Sequence, residues 1–177
     1  MSDLALPDRA HVLFVCEGTF EQYLVETLLN ENRLIVASDA VIGVTRTRSA
    51  AQIQEQYLNY DYDWPLVILR VLDSRRENFA LGRLYRERYP VFNFYTHPEI
   101  EMLIIVREDC FADYSKHHKS SMKPSEYCMQ KLKFGDVKSR TFLESYWTAE
   151  SLVQAIRSYA ALARIPKGEF SLADLLK

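Results

Sequence analysis

Two short, almost uninterrupted apolar runs constrain this chain more than anything else in it. His11-Val-Leu-Phe-Val-Cys16 and Pro65-Leu-Val-Ile-Leu-Arg-Val-Leu72 each stop abruptly on an acid, Glu17 and Asp73. The first acid is followed by Gly18, and then by Phe20, Tyr23, Leu24, Thr27 and Leu28 at helical spacing. Such a pattern reads as buried strand, tight turn, helix. Pro65–Leu72 is the strongest strand signal in the chain. Weaker strand material lies at Leu34–Ala37, Ala40–Gly43 and Val91–Tyr95. Ser49 is placed to cap a helix carrying Ile53, Tyr57 and Leu58, and a polar helix is expected over Arg76–Arg88.

Further along, Thr96 and Glu99 have capping-box spacing, with Pro98 suited to a first helical turn. Residues 111–123 are hydrophilic and read as a mobile loop that holds His117-His118 and Ser120-Ser121. Pro124 to Arg164 is helical in pattern and ends with Leu152, Ile156, Tyr159, Ala160 and Ala163. Alternating strands and helices predict an α/β fold: a mostly parallel sheet flanked by helices, with a helical C-terminal portion. Residues 1–164 are expected to form one domain and 165–177 a C-terminal tail.

Length and composition fit that expectation. The chain has 177 residues, 48% of them hydrophobic and 26% charged, which suits one domain with a real core and excludes wholesale disorder. No apolar run approaches the roughly 20 residues of a spanning helix, and Met1–Ala10 lacks the basic and apolar regions of a secretory signal. A cytoplasmic protein without membrane association is expected. Cys16, Cys110 and Cys128 are widely separated and show no zinc-site spacing. The net charge of -2 covers local asymmetry: seven Lys/Arg between Cys110 and Arg140, and six arginines from Arg70 to Arg88. Clusters of that kind meet phosphate or form solvated helix faces.

In parallel sheets, functional residues collect where strands end at the carboxyl edge. Glu17 and Asp73 therefore become the first candidates. Val12–Gly18 resembles the opening of low-molecular-weight protein tyrosine phosphatases, but those enzymes need an arginine six positions after the cysteine. Here that position is Gln22, with Glu21 beside it. A carboxylate there would repel both thiolate and phosphate, so Cys16 reads as a buried strand residue.

The same segment, a hydrophobic strand followed by Glu17-Gly18-Thr19-Phe20-Glu21, resembles the first motif of Toprim domains. Asp73 corresponds to the first acid of the family's Asp-x-Asp motif, while Arg75 stands in place of the second. The chain is also similar to small stand-alone RloB-type proteins of bacterial restriction and phage-defence loci. In the block Thr96 to Ile105, that similarity puts Glu101 on the family's glutamate, and Lys138 on a lysine before the final helices.

What the resemblance implies is a divalent-metal-dependent, nuclease-like domain that cleaves phosphodiesters in nucleic acid, with a role in phage defence. Mg²⁺ or Mn²⁺ would be held by Glu17, Asp73 and Glu101; Glu17 and Lys138 would be catalytic, and Arg75 would contact phosphate. Hard cations and phosphodiester cleavage call for converging carboxylates and a nearby positive group. Partners implied are nucleic acid and a partner ATPase or other defence-system protein. Two alternatives stand beside this: a non-catalytic scaffold on the same fold, and a hydrolase of nucleotides or small phosphoesters. Glu21, in the first helical turn, reads as an acid beside the site or on the surface.

Overall fold

The two apolar runs lie side by side. In the computed structural model, which describes residues 6, 7, 9–96 and 99–177, β1 (His11–Cys16) pairs in parallel with β3 (Leu66–Leu72), from His11 opposite Leu66 to Cys16 opposite Val71. β2 (Val41–Thr45) flanks β1, β4 (Val91–Tyr95) flanks β3, and the two-residue β5 (Phe170–Ser171) pairs with β4. The result is a five-stranded, all-parallel sheet in the order β2-β1-β3-β4-β5, an α/β fold.

Both faces of this sheet are covered, which is why its central strands read as continuous apolar runs. Val12, Phe14 and Cys16 of β1, with Val67, Leu69 and Val71 of β3, enter the larger core. They share it with α1 (Thr19–Asn30), α4 (Met102–Arg107) and α8 (Ala149–Leu162). Leu13, Val15, Leu66 and Ile68 point the other way, into a smaller cluster with Ile53, Leu58, Leu81 and Tyr89. Ile53 belongs to α2 (Ala50–Ile53), capped as expected by Ser49, whose hydroxyl accepts the Gln52 amide at 3.4 Å. Among the described residues, no helix is long and apolar enough to cross a membrane.

Several elements differ from the sequence reading. The polar helix expected over Arg76–Arg88 shrinks to one turn, α3 (Arg83–Arg86), because Glu77 is drawn onto the buried Arg70 of β3 and holds the preceding chain open. Leu34–Ala37 forms no strand; Leu34 makes a single antiparallel bridge to Leu176. The stretch expected as a mobile loop instead contains α5 (Phe111–Asp113) and a π-helical turn, Tyr114–His118. Tyr114, buried against Tyr127, anchors it there.

Thr96 and Glu99 form no capping box. The Thr96 hydroxyl goes to Asp73, Glu99 accepts the Ser125 amide and hydroxyl, and α4 begins only at Met102. His97 and Pro98 lie outside the described residues. The helical C-terminal portion is there as α6 (Pro124–Gln130), α7 (Arg140–Tyr146) and α8. Residues 165–177, set apart as a tail by sequence, carry β5, where Phe170 packs on Phe92 and Phe94.

Candidate functional site

The chain leaves β1 for β2 on one side of the sheet, then crosses back to β3 on the other. The carboxyl ends of β1 and β3 therefore border the point where strand order reverses, the usual place for ligands in open α/β sheets. Glu17 and Asp73 meet there.

Glu17 extends β1 by one ladder bond, its amide donating to Val71 O at 3.0 Å. Its Oε2 accepts the backbone amides of Asp73 at 2.8 Å and Ser74 at 3.0 Å. One oxygen is thus committed to fixing the chain as it leaves β3. The other, Oε1, faces Arg48 Nη1 at 3.8 Å. Arg48 also pairs with Glu77, which pairs with Arg70.

Asp73 is held in turn by its Oδ1, which accepts the Thr96 hydroxyl and the Ile100 amide, the latter at 3.0 Å. Among the described residues no hydrogen bond reaches Oδ2. Burial raises the Asp73 pKa, and the Glu17 charge adds to the effect against the lowering hydrogen bond from Thr96.

Glu101 is fully buried at the start of α4. Lys138 Nζ stands 2.8 Å from its Oε1, yet neither carboxylate oxygen finds an aligned hydrogen-bond donor among the described residues. Burial raises the Glu101 pKa despite this cation, and the pairing raises that of Lys138 despite its own partial burial. The pairing of Glu101 with Lys138, positions brought in by the resemblance alone, is thus a close contact.

A fourth acid completes the group. Glu21, in the first turn of α1, is 3% exposed, and its pKa is pushed up to about 8, chiefly by burial, then by the Asp73 charge. Its carboxylate folds back over Gly18: a Cβ at Gly18 would meet Glu21 Oε2 at 2.9 Å. Glycine keeps that space open. Sequence reasoning left Glu21 outside the ligand set, although the Glu-Gly-x-x-Glu spacing was the available signal: a residue three positions into a helix reaches back over its own first turn.

The remaining candidate sits apart in its bonding. Arg75 makes a bidentate pair with Glu169, from Nε at 2.9 and 3.0 Å and from Nη2 at 2.9 Å, and lies over the Tyr95 ring at 5.6 Å. Its guanidinium is shared with the C-terminal segment. Cys16 is fully buried and its thiol pKa is raised by that burial and by Glu21, as expected for an inert strand cysteine. Of the two adjacent histidines, His118 faces Asp113 at 3.5 Å and packs on Tyr127.

The donor set at this edge is all carboxylate, the chemistry of Mg²⁺ or Mn²⁺. Glu21, buried and with its pKa raised, is the group here that a bound cation would relieve. Among the described residues, however, no three Asp, Glu, His or Cys side chains are grouped closely enough to enclose an ion. The trio Glu17, Asp73 and Glu101 thus shares an edge without forming a closed cage. Comparison of the chain with protein-family models, curated proteins and solved structures finds no match.

Proposed function

We propose that the carboxyl edge of β1 and β3 is a divalent-cation-dependent site that cleaves phosphodiesters in nucleic acid. The observation that carries this reading is the gathering of four acids, Glu17, Glu21, Asp73 and Glu101, with Lys138 at the strand-order switch. The resemblance to Toprim and RloB-type proteins supports it from the sequence side, and a role in phage defence is part of the proposal on that ground.

Each side chain then has a task. The Asp73 and Glu21 carboxylates would hold the cation. When bound, Mg²⁺ or Mn²⁺ would polarise a phosphoryl oxygen and lower the pKa of water. Glu17 positions Asp73 through the two backbone amides, and its Oε1, which faces Arg48, is the oxygen that takes the proton of the attacking water. Lys138, oriented by Glu101, offsets negative charge as water adds to phosphorus and the P–O bond to the leaving oxygen breaks, that oxygen taking its proton from solvent. A competing scaffold reading is favoured by one observation: Glu17 Oε2 and Asp73 Oδ1 are both spent on the fold itself.

Calorimetric titration of Mn²⁺ into wild type, Glu21→Gln and Asp73→Asn separates the two. Glu21→Gln is the cleaner variant, because among the described residues the Glu21 side chain hydrogen-bonds to no other segment, while Asp73 holds Ile100 just before α4. The cation-site reading predicts binding to wild type at pH 8 and at least about tenfold weaker binding to each variant, with unfolding still cooperative. No heat in wild type would support the scaffold.

A further inference from the structure

A cleft of about 320 Å³ is lined by Arg75, Met102, Phe111, Lys119, Tyr159 and Arg164, among others. That size is within the roughly 300–1,000 Å³ of small-molecule sites. Two of its lining residues tie it to the candidate site: Arg75 lies two positions past Asp73, and Met102 directly follows Glu101.

Three features of the lining point to one ligand chemistry. Lys119 and Arg164 are exposed and have no acidic partner within ion-pair distance among the described residues. Arg75 adds a third cation, whose charge Glu169 offsets. In the same lining, Phe111 and Tyr159 meet edge to face, with centroids 6.2 Å apart. Cations next to an aromatic wall suit a phosphate joined to a flat, π-rich ring, which is the make-up of a nucleotide. Neither a bare anion nor an aliphatic ligand would use both halves.

We infer that this cleft binds one nucleotide unit, its phosphate on Lys119 and Arg164 and its base against Phe111 and Tyr159, next to the scissile position. The inference deepens the nucleic-acid reading above and rests on it. Two sources supply such a unit, the end of a single strand or a free mononucleotide, and binding experiments distinguish them.

The test is fluorescence anisotropy of a 5′-labelled twelve-residue oligothymidylate, run in EDTA so that the acids and any cation play no part. Wild type should bind, and Lys119→Ala/Arg164→Ala, at two exposed positions where folding is not at stake, should weaken binding about tenfold and flatten its salt dependence by roughly one phosphate contact or more. Arg83→Ala/Arg86→Ala removes the same charge from α3, which leads into the amino end of β4, and should leave binding unchanged. Tyr159→Leu should weaken binding without changing the salt slope, separating stacking from charge. Displacement of the oligonucleotide by thymidine 5′-monophosphate would identify the free nucleotide as the occupant; no displacement would identify the strand. Absence of binding by wild type, or equal losses in the α3 control, would overturn the assignment. Because the assay is metal-free, its failure leaves the Mn²⁺ titration to judge the cation site on its own.

Discussion

Glu21 occupies a position where ionisation is costly: buried, and beside Asp73. Its folded pKa, about 8, lies above the ordinary value of 4.5. Below pH 4.5 both folded and unfolded chains hold the proton, and nothing is lost. Between about 4.5 and 8 the unfolded chain releases a proton that the folded chain keeps, so folding stability falls as pH rises and then levels off. Urea unfolding of wild type and Glu21→Gln across this range should diverge, wild type losing on the order of 1 kcal/mol per pH unit relative to the variant. Parallel curves would mean that Glu21 titrates normally. Glu17 shows the opposite use of a carboxylate at the same edge, since its Oε2 accepts two amides and serves the backbone.

At the scale of elements, β3 departs from its own apolar pattern at one position. Arg70, 2% exposed, projects from the strand toward Glu77 and Asn93 and lies over the Phe79 ring at 4.2 Å. Glu77 in turn reaches Arg48, and Arg48 approaches Glu17, so a chain of alternating charges runs from beneath the sheet to the candidate site. The same contact explains why a helix does not form over residues 76–82. Helical periodicity there is a local signal, and one long-range ion pair outweighs it. Removing Glu77 would strand a buried guanidinium whose Nε already lacks a hydrogen-bond partner among the described residues. Glu77→Ala is expected to destabilise the fold by about 3–5 kcal/mol in urea unfolding. A loss under about 1 kcal/mol would show that the pair is not desolvated.

For the molecule as a whole, what was legible in the sequence was what periodicity and chain order encode. Apolar runs between helical patterns gave the parallel sheet, and acids closing two runs gave the edge where Glu17 and Asp73 meet. Less legible were features set by distant partners. Glu169 holds Arg75 across 94 positions of sequence, and β5 is too short to register as a strand. The segment at 111–118 looked like a polar loop because only one of its residues, Tyr114, is fully buried. Glu21 was visible as a residue but not as a buried one, since its burial depends on Gly18 leaving room. The central claim, a cation held at the β1–β3 edge, is tested most directly by anomalous diffraction from crystals soaked in Mn²⁺ at pH 8. The account predicts an anomalous peak within about 2.0–2.3 Å of Asp73 Oδ2 and a Glu21 oxygen. A peak only elsewhere, or none at that edge in fully soaked crystals, would contradict it.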